Sequence, residues 1–360
     1  MRGRELPWTS PGARRRGSAG APLLRGVRAR LAALMAREGE RDRSLVVIGA
    51  DGVALADARR LWRGARISAM SAELPTTSST GWLSSLSGLA PVEHGALGVV
   101  QRGEADRVAR FVLSPDPDLA LPPVATAFAD ATRLGRRAIA LTGDLLDLDG
   151  PWRARLLAGA EIREGPRLLA GRAVERPEPG DLVESLESAL ERALDEAAPA
   201  FVWCHVDIDL AIHHHGVDPW VEDLLVRLDA AAGRLARRAR VVAYADHGLV
   251  PTRHDPELAA RLAAFCEREG LAVGGAGRMR WLYDAHDPRI ERALRALLPE
   301  DVRLVRRAAL FPAGPYRARV GPLVLLATGT RFLTDPLYTH DHGAGSPAER
   351  RVPFAVWEAR

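Results

Sequence analysis

Three apolar runs that end in an aspartate constrain the fold of this chain more than any other feature. They are LVVIGAD, AFVWCHVDID and RVVAYAD, and they end at Asp51, Asp209 and Asp246. Their continuous hydrophobicity indicates strands buried on both faces, as in a parallel sheet. Helical patterns lie between them, the clearest at residues 182–197 and 219–239. This alternation predicts an α/β fold, with a mostly parallel central sheet and helices on both faces.

The three aspartates are expected to share one edge of that sheet. Ligands of open α/β sheets bind outside the carboxyl ends of the strands. In DIDLAIHHHG, His213 follows Asp209 by four residues, and Asp246 directly precedes His247. Because carboxylate and imidazole are both ligands of Zn²⁺, this edge is a candidate metal site. The other candidate side chains of the histidine-rich stretch are Asp207, His214 and His215.

A cluster of hydroxyl residues, in ELPTTSSTGWLSSLSG, precedes a helix predicted at about 78–88. A hydroxyl at a helix N-terminus lies at the positive end of the macrodipole, where an alkoxide or phosphate is favoured. An ordinary Ser or Thr helix cap has the same pattern, so the cluster alone does not establish a nucleophile. Metal-activated hydroxyl chemistry also needs a held cation, for which the chain supplies a late histidine, His342.

Composition limits both the chemistry and the partners. Hydrophobic residues make up 47% and charged residues 27% of the 360, which is ordinary for a soluble globular protein. Every basic residue is an arginine, and the absence of lysine and asparagine excludes both from any active site. The net charge of +4 is spread among interleaved acids, so we expect no nucleic acid partner.

The N-terminal 43 residues form a basic segment that we expect to be partly disordered. It lacks the apolar core of a secretory signal, and no apolar run in the chain is long enough to span a bilayer. We therefore expect a cytoplasmic location. Residues 44–360 are predicted to form the main domain, with a small α+β insert or cap at about 250–325. Within it, GGAGRM at 274–279 lacks the spacing of a nucleotide-binding loop and is expected to be a turn.

Taken together, these motifs resemble the alkaline phosphatase superfamily, and within it the type I phosphodiesterase/nucleotide pyrophosphatase family. The resemblance runs from about residue 44 to the C-terminus and implies an alkaline-phosphatase-like sandwich. It rests on Asp51 in VVIGADG, Pro75 through Gly88 followed by PVEHG, the Asp209, His213 and Gly216 motif, Asp246-His247-Gly248, and His342-Gly343.

The resemblance implies a hydrolase of small-molecule phosphoric esters, of the phosphodiesterase or nucleotide pyrophosphatase type, that uses two divalent metal ions, expected to be Zn²⁺. Ser78 matches the position of the family's nucleophile, and Thr77 is the alternative if the register shifts by one. One ion would be bound by Asp209, His213 and His342, and the other by Asp51, Ser78, Asp246 and His247.

Two departures from the family pattern leave the substrate open. The family's phosphate-binding asparagine falls near Val99, where Gln101 or backbone N–H groups are the candidate substitutes, and Ile212 stands where a glycine is usual. The alternatives are a phosphomonoesterase or a phosphonate hydrolase of the same superfamily. From another class, a non-catalytic metal-binding protein that retains the fold is also open. The sequence indicates no oligomeric state.

Overall fold

The structure is a computed structural model. The residues it describes are 20–37, 42–103, 107–110, 119–148, 150–167, 176–195 and 199–359. The disorder expected near the N-terminus falls mainly on residues 1–19, which lie outside the described residues.

Thirteen α-helices are present in the described ranges. They are α1 (Val27–Ala36), α2 (Leu55–Leu61), α3 (Ser78–Ser87), α4 (Pro91–His94), α5 (Ala127–Arg133), α6 (Pro151–Leu156), α7 (Pro179–Asp195), α8 (Asp209–His215), α9 (Pro219–Leu235), α10 (Pro256–Glu269), α11 (Pro288–Leu297), α12 (Arg307–Leu310) and α13 (Pro347–Arg350). None of these helices combines the length and the apolar character needed to cross a bilayer.

Seventeen strands accompany the helices in the same ranges. They are β1 (Leu45–Ala50), β2 (Arg66–Ser71), β3 (Val100–Arg102), β4 (Val108–Arg110), β5 (Arg137–Leu141), β6 (Glu161–Arg163), β7 (Ala200–Val206), β8 (Arg240–Tyr244), β9 (Val250–Pro251), β10 (Arg253–His254), β11 (Val273–Ala276), β12 (Met279–Leu282), β13 (Val302–Arg306), β14 (Leu323–Ala327), β15 (Arg331–Phe332), β16 (His340–Asp341) and β17 (Arg351–Trp357).

The central sheet has seven strands in the order β2-β17-β8-β1-β7-β5-β6. Strand β1 lies in the middle and pairs in parallel with both β7 and β8. Only β17 runs against its neighbours, β2 and β8. All six residues of β1 are buried, because helices cover both faces of the sheet. The predicted fold class, an alkaline-phosphatase-like α/β sandwich with a mostly parallel sheet, is confirmed.

A second sheet is antiparallel and has the strand order β13-β14-β12-β11-β3-β4. Helices α10 and α11 pack on it through a separate apolar cluster that includes Leu262, Phe265 and Leu294. Strands β3 and β4 come from residues 100–110, so this sheet also draws on chain outside the predicted insert at about 250–325. The division into a main domain and an insert stays a prediction.

Helix α3 packs on the middle of the central sheet through the ring of Trp82. The ring of Trp82 lies among the aromatic rings of Trp203 and Tyr244, with centroids 5.7 and 5.4 Å away. Gly49 in β1 makes room for it, because a Cβ atom there would lie 3.0 Å from the Trp82 ring. A side chain at position 49 would therefore push α3 away from the sheet.

Candidate active site

The three sequence-predicted aspartates converge at the carboxyl ends of β1, β7 and β8. Asp51 directly follows β1, and Asp246 lies two residues beyond β8. Asp209 was expected at a strand end, but β7 stops at Val206 and Asp209 is the first residue of helix α8. This position makes Asp209 and His213 neighbours at i and i+4 on one helical face. The four-residue spacing is therefore a helical spacing.

The first group of candidate metal ligands consists of Asp209, His213 and His342. One ligand atom of each lies within 4.8 Å of the others. The Nε2 atoms of His213 and His342 are 3.1 and 3.8 Å from Oδ2 of Asp209. These are the three residues that the family resemblance assigned to one ion, and the fold brings them together from positions up to 133 residues apart.

The imidazoles of this group are oriented by backbone carbonyls. Nδ1 of His213 donates to the carbonyl of His340 at 2.7 Å, and Nδ1 of His342 donates to the carbonyl of Thr76 at 2.8 Å. Since a carbonyl only accepts, each Nδ1 carries a hydrogen, and Nε2 is the nitrogen left to face Asp209. This arrangement is typical of metal-binding histidines.

A short ribbon places His342 beside His247. Strands β9 and β16 pair antiparallel, with Asp341 opposite Val250, three residues after His247. The rings of His247 and His342 stack with centroids 3.9 Å apart. Burial, followed by the electrostatic effect of His247 and His213, lowers the pKa of His342 well below its usual value. A lowered pKa favours the neutral imidazole that metal binding requires.

The second group of candidate ligands joins Asp51, His247 and Asp209 within the same 4.8 Å limit. Asp246 adjoins it, because its Oδ2 lies 3.1 Å from Nε2 of His247. Asp209 thus contributes to both groups, which the sequence did not predict. The spacing of Asp209 from His213 pointed to only one ion, whereas its contact with Asp51 depends on tertiary structure.

Unpartnered carboxylate oxygens test whether these residues suit a cation. Within the described part of the chain, the buried Oδ1 of Asp209 has no hydrogen-bond partner, and the buried Oδ2 of Asp246 makes no hydrogen bond although Nε2 of His247 lies 3.1 Å away. Leaving such atoms unpaired is costly. Burial, and then the charges of Asp51 and Asp209, raise the pKa of Asp246 well above its usual value. Divalent cations would neutralise this repulsion, so the donor set fits them.

Ser78 is the first residue of α3, and its hydroxyl faces the second group. Its Oγ lies 3.2 Å from Oδ1 of Asp51 and 3.1 Å from Nε2 of His247. The Thr77 hydroxyl turns away and bonds to the hydroxyls of Ser79 and Thr80, both at 3.1 Å. Ser78 is also the one partly exposed side chain in the run from Thr76 to Thr80.

Two residues that the sequence analysis missed hold the Asp51 carboxylate. Nε1 of Trp82 and Nε2 of His205 each lie 3.0 Å from its Oδ2. Burial by itself would raise the pKa of Asp51. The hydrogen bond from His205 and the charge of His205 outweigh it, with smaller effects from other neighbours, and the pKa of Asp51 lies below its usual value. Two signals were available in the sequence: an imidazole within the apolar run of β7, and a tryptophan one helical turn after Ser78.

The remaining sequence candidates lie around these groups. Asp207 lines the adjoining cavity but belongs to neither ligand group. His215 is exposed and His214 is partly buried, with its ring edge-on to Tyr338 at 5.3 Å. Gln101, considered as a substitute for the family's asparagine, is buried and accepts a hydrogen bond from the Leu97 N–H instead of lining the cavity.

A cavity of about 660 Å³ opens beside Ser78 and both ligand groups. Its size suits a small-molecule ligand. Apolar side chains cover much of its wall, and two arginines also reach it. Representative lining residues are Val99, Leu145, Trp152, Leu333, Arg110 and Arg280.

Comparisons with solved structures agree with this fold. The chain is similar to phosphonoacetate hydrolase from Sinorhizobium meliloti 1021 in complex with phosphonoformate, with a TM-score of 0.65, 18% identity and coverage of 89% of this chain and 91% of that one. It is also similar to an inactive threonine-to-alanine variant of murine ectonucleotide pyrophosphatase/phosphodiesterase 5 in complex with AMP, with a TM-score of 0.60, 13% identity and 88% coverage of both chains. The human form of that protein matches with a TM-score of 0.60, 12% identity and 88% coverage of both chains.

The family is shown by a sequence comparison. A search of curated proteins gives no match. The family model for type I phosphodiesterase/nucleotide pyrophosphatase, however, matches residues 46–342, which include every candidate ligand described above. The chain therefore belongs to the type I phosphodiesterase/nucleotide pyrophosphatase family of metal-dependent phosphoester hydrolases, and its fold is that of the alkaline phosphatase superfamily.

Proposed function

We propose that this protein is a phosphodiesterase of the nucleotide pyrophosphatase type that uses Ser78 as its nucleophile and two divalent cations, Zn²⁺, as cofactors. The observation that carries the proposal is the position of the Ser78 hydroxyl. It lies 3.2 Å from Asp51 and 3.1 Å from His247, at the start of a helix and at the wall of a large cavity. A hydroxyl among candidate metal ligands is the arrangement that metal-activated nucleophilic catalysis requires.

The two ligand groups would hold the cations. Asp209, His213 and His342 would bind one ion, and Asp51, Ser78, Asp246 and His247 the other. Asp209 also lies within reach of the second group. When bound, such cations lower the pKa of a coordinated hydroxyl and stabilise negative charge on phosphoryl oxygens. Carboxylate oxygen and imidazole nitrogen together suit Zn²⁺.

The chain's own residues orient the attacking atom. Ser78 begins α3, where the positive end of the helix dipole favours an alkoxide. Trp82 and His205 fix one oxygen of Asp51, so that the other oxygen faces the Ser78 hydroxyl. In the proposed reaction the Ser78 oxygen loses its proton and forms a bond to phosphorus as the bond to the leaving oxygen breaks, and the leaving oxygen takes up a proton. The intermediate is a phosphodiester between Ser78 and the remaining alcohol. Water then breaks its serine–phosphorus bond, which releases a phosphomonoester and restores the Ser78 hydroxyl.

The mouse relative supports a hydroxyl nucleophile. Its inactive form differs by a threonine-to-alanine change, which is the loss expected when a nucleophilic hydroxyl is removed. Serine supplies the same hydroxyl group, and we propose the same role for Ser78. The wall of the cavity at Val99 is apolar, so a phosphoryl oxygen would be held by the cations and by N–H groups at the start of α3.

A substrate panel tests the proposal. Purified protein loaded with zinc is assayed with bis(p-nitrophenyl) phosphate, p-nitrophenyl phosphate and phosphonoacetate. We expect kcat/KM to be highest for the diester. Preference for the second or third compound would instead indicate a phosphomonoesterase or a phosphonate hydrolase. Tight binding of zinc without turnover of any substrate would favour a non-catalytic metal-binding protein.

A further inference from the structure

Arg278 and Glu349 form an ion pair behind His342 that has no contact with solvent. Nε of Arg278 lies 3.4 Å from Oε1 of Glu349, and both side chains are 0% exposed. Removing two charges from water is expensive, and a buried pair often stabilises a protein no better than apolar residues would. The placement of this pair therefore calls for an explanation other than stability.

Glu349 is bonded to the segments that carry His342 and His247. Its two carboxylate oxygens accept hydrogen bonds from the N–H groups of Ala344 at 2.9 Å and Ser346 at 3.0 Å, two and four residues after His342. Its backbone carbonyl accepts from the N–H of Gly248 at 2.9 Å, the residue after His247. One residue of α13 thus fixes the chain beside both histidines.

Arg278 approaches His342 from the antiparallel sheet. It lies in the turn between β11 and β12, and its backbone N–H donates to the carbonyl of His342 at 2.6 Å. The turn at Gly277 and the segment at Gly343 meet backbone to backbone, with no side chain between them. A Cβ atom at Gly277 would collide with the His342 carbonyl, and one at Gly343 with the Ala276 carbonyl. The GGAGRM segment is therefore a turn that docks against the His342 segment.

The Arg278 guanidinium serves no visible hydrogen-bond network. Among the described residues none of its three nitrogens has a hydrogen-bond partner, and its one ion-pair partner is Glu349. A fully buried guanidinium also cannot bind a ligand from solution. What it contributes is a positive charge beside the Glu349 carboxylate, whose attraction holds that side chain in place against the Ala344 and Ser346 N–H groups.

We propose that Arg278 and Glu349 are positioning residues, and that their buried pair ties the antiparallel sheet to the His342 segment and thereby fixes His342 for metal binding. The inference rests on the proposed function, in which His342 is a metal ligand. Residues that orient metal ligands typically change metal affinity by about 10–100-fold when they are altered.

Glu349→Gln is the principal test. It preserves the shape of the side chain, but it removes the negative charge and one of the two oxygens that accept hydrogen bonds from backbone N–H groups. Zinc affinities are measured by competition with a chelator. We expect the dissociation constant of one ion to rise about 10–100-fold, while that of the other changes less than about threefold. The visible spectrum of the cobalt(II)-substituted protein should change as well. Glu187→Gln is the matched control, since it makes the same change in an exposed ion pair with Arg234.

The double variant Arg278→Met/Glu349→Gln separates positioning from stability. Glu349→Gln alone leaves a buried, unpaired guanidinium and is expected to lower the Tm of the zinc-free protein, whereas the double variant should recover Tm. Zinc affinity should remain reduced, because the amide contacts of Glu349 are still weakened. Recovery of both properties would overturn the proposal, and so would wild-type affinity for both ions in Glu349→Gln.

Amide hydrogen exchange in the zinc-free protein distinguishes this inference from the proposed function. The Ala344 and Ser346 amides should exchange slowly in the wild type and at least tenfold faster in Glu349→Gln. If the wild type bound no zinc and cleaved no ester, the proposed function would fail. The exchange rates would still test whether Glu349 holds the segment that follows His342. Equal exchange rates in the two proteins would reject that role of Glu349.

Discussion

The indole N–H of Trp82 donates a hydrogen bond to the Asp51 carboxylate over 3.0 Å, and this contact joins the packing of helix α3 to the candidate active site. Trp82 follows Ser78 by one helical turn. The ring that anchors the helix in the core therefore also sets the orientation of a carboxylate that Ser78 faces.

Trp82→Phe removes this hydrogen bond and keeps an aromatic ring in the core. A hydrogen bond to a charged group contributes about 1.5–3 kcal/mol, so we expect kcat/KM for a diester to fall roughly tenfold or more, with a smaller loss in thermal stability. Steady-state kinetics and thermal unfolding measure the two effects. The contact has no catalytic importance if kcat/KM stays at the wild-type value. Trp357→Phe is the matched control, since its indole also donates to an aspartate, Asp229, which belongs to neither ligand group.

Ser78→Ala should retain the fold and most of the zinc but lose turnover by orders of magnitude, because only the attacking oxygen is removed. Thr77→Ala is the matched control. Its hydroxyl bonds to Ser79 and Thr80, so its loss should affect activity far less. Rapid quench with a ³²P-labelled diester, followed by peptide mapping, should place the label on Ser78. Full activity in Ser78→Ala would exclude a serine nucleophile, and direct attack by water would then be the better mechanism.

The histidine-rich stretch offers a second matched pair. His213→Ala removes an imidazole that lies 3.1 Å from Asp209, and we expect it to lose one zinc ion and nearly all activity. His215→Ala changes an exposed side chain outside both ligand groups and should keep two zinc ions per chain. Zinc content after gel filtration distinguishes the variants. Loss of zinc from His215→Ala alone would show that the ligand was assigned to the wrong histidine.

Chelation of the metal ions should destabilise the fold. Three acidic side chains crowd the site, and a ligand that binds only the folded state at a hundredfold excess over its Kd stabilises it by about 2.7 kcal/mol. We therefore expect Tm to fall by several degrees in chelator and to recover when zinc is added back. Asp209→Asn, which loses a carboxylate common to both groups, should abolish most of this difference. An unchanged Tm in chelator would argue against tightly bound cations in the native protein.

A pH-dependent contribution to stability is expected far from the site, at the Arg28–Asp130 pair. Two hydrogen bonds, at 2.7 and 2.9 Å, join these side chains. The hydrogen bond from Arg28 lowers the pKa of Asp130 below its usual value. A lowered folded-state pKa means that the stabilisation is complete above the unfolded pKa, near 3.9, and is lost as the pH falls through the folded pKa.

Asp130→Asn should therefore lower the free energy of unfolding at pH 7 by about 1–3 kcal/mol, and the difference from wild type should shrink below pH 4. Urea unfolding at several pH values measures this. Asp195→Asn, which removes a carboxylate from an exposed pair with Arg238, is the control and should leave the free energy of unfolding close to the wild-type value. A difference at Asp130 that is constant with pH would rule out the carboxylate charge as its source.

The sequence predicted the central sheet because apolar runs are a local pattern, whereas the assignment of Ser78 and His342 to the site came only from the resemblance to the family. Apolar runs such as β1 specify buried parallel strands, and the ends of parallel strands meet at one edge. The contacts of Asp51 with His205 and Trp82 could not be read in this way, since they depend on how α3 lies on the sheet. The role of Asp209 in both groups escaped the sequence for the same reason.

The antiparallel sheet was the hardest part to predict. Strands β3 and β4 are three residues each, and β3 pairs with β11, which lies about 170 residues later in the chain. Short strands carry little periodic signal, and nothing local links segments so far apart. The expected cytoplasmic location, the absence of a nucleic acid partner and the small-molecule substrate stay predictions.

Gly49 makes two distant positions depend on each other. Because a Cβ atom at 49 would lie 3.0 Å from the Trp82 ring and 3.3 Å from the Trp203 ring, a larger residue at 49 is accommodated when the residue at 82 becomes smaller or when α3 moves outward and carries Ser78 with it. Substitutions at 49 and 82 are therefore expected to occur together in related chains, as a volume exchange between strand and helix. A bulkier residue introduced at 49 alone should affect catalysis although it touches no substrate, and a compensating reduction at 82 should restore the helix position but not the hydrogen bond to Asp51.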